Sequence, residues 1–379
     1  MRKINLLFIC LSLFILITSC SLGGTTITHT ITFDTDGGTI IEPITLIVGT
    51  PINVPEEPVK DGYLFLDWDK QIPQVMPDYD LIVKATYAKI TLDLEYNYDE
   101  KTNSYSVAKY NGTEENIVIT KTYKEAFVTS IDKEAFKDNE SIKSVIMPNT
   151  ITKIEDEAFM MCNNLQSVTL SKNLEVIGNY AFYGCCFSDV LMPIGLTIIN
   201  DYAFGSCHNL DSIIIPSTVT NLGIGTFSDC FNLTEITLSP VVEILEEMLF
   251  AECDKLKSVI IPEGIKTIDS NVFYECNNLE MIVLPSSVIE IKELAVNSCT
   301  NIKLIYIPRQ VEIIRDSAFC NCPKLNIYCE IEEMPTSWEI DWNIDDVKVV
   351  WGYNIKENVW LYWYQEHPTQ GKQILRKNY

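Results

Sequence analysis

Leu256-Lys-Ser-Val259-Ile-Ile261-Pro262-Glu-Gly-Ile265-Lys-Thr-Ile268-Asp-Ser-Asn-Val272-Phe273-Tyr-Glu-Cys276 is the stretch that decides the fold. Its start alternates with a strand's period of two, which sends Val259 and Ile261 to one face and Ser258 and Ile260 to the other. Pro262 ends the strand, because it has no N–H to give to a ladder. Ile265 and Ile268 bring the chain back inward, and Phe273 supplies a large apolar plug on the return.

The same marks recur on both sides of this stretch. Phe136, Phe159, Phe182, Phe204, Phe227, Phe250, Phe273 and Phe319 follow a 23-residue period, with Val296 in the one empty slot and a single 22-residue step at the rung between Cys185 and Pro193. Three residues after each mark from the second onward stand Cys162, Cys185, Cys207, Cys230, Cys253, Cys276, Cys299 and Cys322. Prolines equivalent to Pro262 occupy positions 148, 193, 216, 285 and 308, and Ser171 and Ser239 stand in the two rungs that lack one. Self-similarity at this period means a solenoid, in which no unit buries its apolar face alone. The expected fold is mainly β: a parallel sheet with one short strand per rung and irregular or single-turn helical returns.

Working outward, the N-terminus reads as a targeting segment. Arg2 and Lys3, the apolar run Ile4 to Ile17 and then Ile17-Thr-Ser-Cys20 form a secretory signal over 1–19, too short for a spanning helix. The segment resembles a bacterial lipobox, which implies cleavage before Cys20 and lipid attachment to it. The expected localisation is the cell envelope, lipid-anchored and facing outward, with contact to the membrane through that lipid only. A net charge of -24 argues against nucleic acid as a partner, since phosphate binding needs clustered Lys and Arg.

Thirteen cysteines in an exported chain would ordinarily suggest disulfides. Stacking at one fixed position points their Cβ vectors the same way, so the eight periodic cysteines read as a buried row of free thiols packing as small apolar residues. Cys185-Cys186 and Cys320-Asn-Cys322 have the wrong spacing for zinc. Only His29, His208 and His367 exist, and they lie in three different parts of the chain, so His-based nucleophile activation has no support. Gly223-Ile-Gly225 lacks the remainder of a phosphate-binding motif. Asp34-Thr-Asp36-Gly37 has the opening of a calcium loop but Thr45 where the bidentate Glu belongs. No catalytic residue, metal or cofactor is expected.

Segments such as Ile151-Thr-Lys-Ile-Glu-Asp-Glu-Ala-Phe159-Met-Met-Cys162-Asn-Asn-Leu165 resemble the BspA-like leucine-rich repeats of bacterial surfaces. The resemblance covers about 105 to 330 and implies cell-surface adhesion or host contact without catalysis. Earlier, Ile31-Thr-Phe33, Gly37-Gly38, Gly62-Tyr63-Leu-Phe65-Leu-Asp-Trp68 and Ala85-Thr-Tyr87 are similar to the Listeria-Bacteroides (internalin B-type) repeat, which implies a ubiquitin-like β-grasp spacer with Tyr87 in place of the usual Trp. Trp338, Trp342 and Val349-Val-Trp351-Gly-Tyr353 resemble the tryptophan-rich terminator of such arrays, a cap or, alternatively, a sugar-stacking platform. The expected organisation is therefore signal 1–19, lipidated Cys and linker 20–27, β-grasp repeat 28–90, N-terminal cap 91–122, repeats 123–330, C-terminal cap 331–354 and a tail over 355–379 without an assigned role.

Function is expected on the concave strand face, where each rung offers one residue between two buried ones: Ile146, Thr169, Leu191, Ile214, Thr237, Ile260, Val283 and Tyr306. Such an apolar row marks a binding site or simply the strand preference of β-branched residues. The neighbouring outward row turns from small and polar to apolar toward Met281 and Leu304. The expected ligand-binding residues are Ile260, Met281, Val283, Leu304 and Tyr306, for an extracellular protein or polysaccharide. A surface-coat scaffold and a glycan-binding accessory protein are the competing readings.

Overall fold

Alternating apolar residues and glycine turns give the N-terminal module four strands, β1 (Thr28–Asp34), β2 (Ile44–Ile47), β3 (Tyr63–Trp68) and β4 (Leu81–Lys89). The computed structural model describes residues 27–353, and the chain divides into two units near Tyr87 and Ala88, with Gly62–Leu64 grouped with the larger. In the small sheet, ordered β2-β1-β4-β3, β1 pairs antiparallel with β2 and parallel with β4. That mixed order is the expected β-grasp arrangement. Ile31, Phe33, Ile52, Met76 and Val83 form its core. Tyr87 fills its slot by donating its hydroxyl to the Thr35 carbonyl at 2.9 Å. Asp36 faces Lys60 and Lys84 at 3.3 and 3.4 Å, which hold its carboxyl below the usual range.

The larger unit is the solenoid, and its rungs carry two strands rather than one. The first belongs to the stretch read from sequence, as in Ser144–Ile146, Ser167–Thr169 and Met281–Val283. The second forms where Ile268 and its equivalents turn inward, as in Lys153–Ile154, Val176–Ile177 and Thr267–Ile268. Both run parallel to their copies at the repeat offset: Val145 pairs with Val168, Ile154 with Ile177 and Ile268 with Ile291. No helix occurs among the described residues, so the returns are turns and not single helical turns.

The reason lies in the backbone. Around each Phe mark, the residues two before and two after it have φ near +55°, from Glu134 and Asp138 through Glu157 and Met161 to Ser317 and Asn321, and only Gly184 and Gly225 in this series are glycines. A left-handed residue costs roughly 1–2 kcal/mol and interrupts any helix. What compensates is a third ladder: Glu157, Phe159 and Met161 donate their N–H groups to the carbonyls of Asn179, Ala181 and Tyr183 in the next rung, at 2.7, 2.8 and 2.7 Å. The pattern repeats down the array, so in the returns these N–H groups all point toward the C-terminal end. Gly178 and Gly223 keep this contact tight, since a Cβ on either would lie 2.5–2.6 Å from the backbone of the preceding rung.

Inside, the Phe marks stack. Ring centroids are 4.7 Å apart from Phe136 to Phe159, 5.2 Å from Phe159 to Phe182 and 5.4 to 6.2 Å onward to Phe273, all with near-parallel planes. Tyr110 continues the column at one end and Trp342 closes it edge-on against Phe319 at the other. The hairpin β5 (Leu94–Asp99) and β6 (Ser104–Tyr110) starts the second sheet, with Tyr96 stacked on Tyr123 at 4.3 Å. At the far end Trp338 and Trp342 are buried and Trp351 packs on both. Large aromatics thus cover both open edges of the column.

Candidate binding face

The thiol row forms as spacing implied, with a role that composition did not suggest. Cys162, Cys185, Cys207, Cys230, Cys253, Cys276, Cys299 and Cys322 are buried and free of disulfides. Seven of them donate to the carbonyl of the Phe in the rung before, at 2.9 to 3.3 Å. Cys322, whose counterpart is Val296, makes a longer 3.6 Å contact. The cysteine is therefore a weak donor that fits where a hydroxyl would add an unpaired acceptor. Burial pushes the Cys162 thiol up to about 12 and Cys185, Cys207 and Cys253 well above their ordinary value. A thiol held protonated is not a nucleophile.

A second periodic set went unread in the sequence. Asn164, Asn232, Asn278 and Asn301, two residues after their cysteines, donate side-chain amides to backbone carbonyls of the preceding rung at 2.6 to 2.9 Å. The signal was the recurrent Cys-x-Asn-Leu. Ser171 and Ser239 replace the rung proline by being buried, with the Ser239 hydroxyl donating to the Val219 carbonyl at 2.7 Å. Charged side chains likewise pair across rungs, as in Lys143–Glu115, Lys266–Glu243, Lys303–Glu280 and Lys137–Glu157. His208 binds Asp229 at 2.8 Å and His29 binds Asp80 at 3.2 Å, each in a separate exposed pair. A shallow hollow of about 610 Å³ lies over Glu290, Lys292, Arg315 and Glu339, where the Arg315 guanidinium already holds both glutamates.

The face of the first sheet is thus the surface left for recognition. Here the structure redistributes the predicted residues. Met281, Val283 and Leu304 lie together in register, Met281 opposite Leu304 and Val283 opposite Tyr306, but all three are half-buried. Tyr306 is only 5% exposed, because Tyr328 of the following strand and Glu330 cover it. Ile260, at 40%, is the one exposed member of the predicted set. The most open apolar positions of the row stand earlier, Leu191 at 89% and Ile214 at 69%. Sequence alternation placed these residues outward but could not rank them, since side chains on the adjacent rung decide the cover. Cys20 and residues 355–379 lie outside the described residues.

Residues 129–240 and 197–326 match the BspA type leucine rich repeat region, in six copies. The chain belongs to the BspA-type leucine-rich-repeat family. Residues 29–92 of this BspA-type protein match the Listeria-Bacteroides repeat domain. Among solved structures it is similar to a leucine-rich repeat protein from Bacteroides ovatus ATCC 8483, at 25% identity over 70% of this chain and 77% of that one, with a TM-score of 0.54. It is also similar to a leucine rich cell surface protein from Faecalibacterium prausnitzii A2-165, at 25% identity over 66% and 77% of the chains with a TM-score of 0.49. No curated protein matches the sequence.

Proposed function

We propose that this BspA-type repeat protein is a lipid-anchored protein of the outer cell surface that binds an extracellular protein or polysaccharide and catalyses no reaction. The observation that carries the reading is the first-sheet face: an open row with Leu191, Ile214 and Ile260 exposed, on a frame whose thiols and many of whose amides and basic groups are already bonded between rungs. Exposed apolar positions on a rigid sheet are suited to macromolecular partners. The β-grasp module serves as the spacer between the anchor at Cys20 and the solenoid. Burial of Trp338 and Trp342 supports the cap over the sugar-stacking platform, so a glycan partner would also use the sheet face.

Protease treatment of intact cells, with a cytoplasmic marker as control, tests the placement. Loss of the solenoid band from whole cells is the expected result. Protection until the envelope is opened would leave an internal scaffold as the better account. Replacement of Cys20 by Ala should abolish incorporation of a fatty-acid label and release the chain from the membrane fraction.

A further inference from the structure

Counting the rung of Phe136 as the first, rung four, which ends in Phe204 and Cys207, departs from its neighbours in three ways that coincide. It is the 22-residue rung, its residues 188–191 form no strand, and it carries Leu191 and Ile194 at 89% and 82% exposure. At the position of Ile194 other rungs carry Asn149, Lys172, Ser217, Pro240, Glu263, Ser286 and Arg309, none of them a large aliphatic residue. The backbone nevertheless stays in step, since the Asp211 N–H donates to the Ser188 carbonyl at 2.9 Å. That bond keeps the two rungs in register at Ser188, and Ile214, which holds the position equivalent to Leu191 on the next rung, is itself 69% exposed. Water therefore covers three large aliphatic side chains on two adjacent rungs, in a surface where isolated ones would be ordinary.

Charge gives the patch its partner. Asp189, Asp211 and Glu235 surround it, all exposed. Elsewhere on this face acids are paired across rungs, as Lys143 pairs Glu115 and Lys303 pairs Glu280. Among the described residues no basic side chain pairs with these three. A second copy of a chain with net charge -24 would bring like charge to the same place, and like charges in apposition disfavour association.

We propose that rungs four and five dock a basic segment of a partner protein, anchored by one or two large aliphatic residues against Leu191, Ile194 and Ile214 and steered by Lys or Arg toward Asp189, Asp211 and Glu235. The proposal deepens the surface-binding reading by naming the partner's chemistry. The test uses purified full-length chain, so it stands or falls independently of where the cell places the protein.

The probe is a fluorescein-labelled twelve-residue peptide of alternating Leu and Lys, read by anisotropy, beside a Ser–Lys peptide of equal charge. The Leu–Lys peptide should bind, and Leu191→Ser and Ile214→Ser should each weaken it about tenfold, the scale of one buried aliphatic side chain. Asp189→Asn with Asp211→Asn and Glu235→Gln should weaken it at low salt and flatten its salt dependence. Met281→Ser, on the covered rungs, should leave it unchanged. Because Leu191, Ile214, Asp189, Asp211 and Glu235 are exposed, their variants should keep the wild-type circular dichroism. Equal binding of the Ser–Lys peptide, or binding indifferent to Leu191 and Ile214, would overturn the proposal. So would a fall in sedimentation coefficient on Leu191→Ser, which would assign the patch to a second copy.

Discussion

Truncating one ring of the Phe column tests whether stacking adds to burial. Phe159 is fully buried, with Phe136 at 4.7 Å and 11° on one side and Phe182 at 5.2 Å and 3° on the other. Phe227 is equally buried, but its neighbours stand at 6.0 and 6.2 Å. Removing a buried Phe costs about 3–5 kcal/mol through lost transfer energy and the cavity left behind. Close aromatic pairs add about 0.5–1.5 kcal/mol each. Phe159→Ala should therefore exceed Phe227→Ala by about 1 kcal/mol, the scale of one such pair. Urea unfolding followed by circular dichroism measures the difference, and tryptophan fluorescence gives a second probe weighted to the C-terminal cap. Because each rung couples only to its neighbours, the Phe159→Ala defect should also let the N-terminal rungs melt before that cap, separating the two curves. Equal losses at both sites, or a larger one at Phe227, would refute a stacking contribution. Curves that stay superimposed would refute nearest-neighbour coupling.

Other consequences are more compact. Among the described cysteines, native protein at pH 8 should react with a thiol reagent first at Cys186, the half-exposed one, while the buried row waits for urea; mass mapping of labelled peptides reads the order. Burial, followed by Asp269, raises the Glu246 carboxyl, so its ionisation opposes folding; Glu246→Gln should stabilise by a few tenths to about 1 kcal/mol at pH 7, and the gain should vanish once pH falls below the unfolded carboxyl's ordinary value. Glu157 has the opposite sign: Lys137 and then Lys133 lower it, so its contribution is present above the ordinary carboxylate range and lost as pH falls through the lowered value. Being a part-buried surface pair it is worth about 1 kcal/mol or less, seen as a flatter acid limb in Glu157→Gln thermal melts. Gly178→Ala, which drives a Cβ into the Glu155–Asp156 backbone, should cost more than any of these carboxylate changes in the same melts.

Periodicity carried most of the architecture. The Phe and Cys marks could recur in register only if each position sat over its own copy, and Phe159, Phe182 and Phe204 do so as stacked rings. The second strand was less legible, because two residues such as Thr267–Ile268 carry too short an alternation to read. The left-handed positions were invisible, since Glu, Met, Tyr, Ser, Asp and Leu occupy them as well as Gly; tertiary hydrogen bonds fix that conformation, and no local preference announces it. Cys-x-Asn-Leu recurs in the sequence, yet its amide ladder exists only across the neighbouring rung. On the binding face, direction was readable and cover was not: Tyr306 and Leu191 hold equivalent positions, but one lies under a tyrosine-bearing strand and the other lies in a rung that forms no strand at that position.

The one-way orientation of the return ladder has a consequence for how such a chain can change. Each rung hands its donors forward and receives with its carbonyls from behind, and the last donors, on Ser317 and Asn321, are met by the Asp341 carbonyl and the Asp345 carboxylate. A duplicated rung inserted anywhere inside finds the same partners above and below as its parent. Deletion of a whole rung closes the gap with equivalent atoms. Gene-level slippage by multiples of one period would therefore lengthen or shorten the reach of the array while both terminal closures stay intact, whereas an inversion of any segment would leave two donor faces opposed.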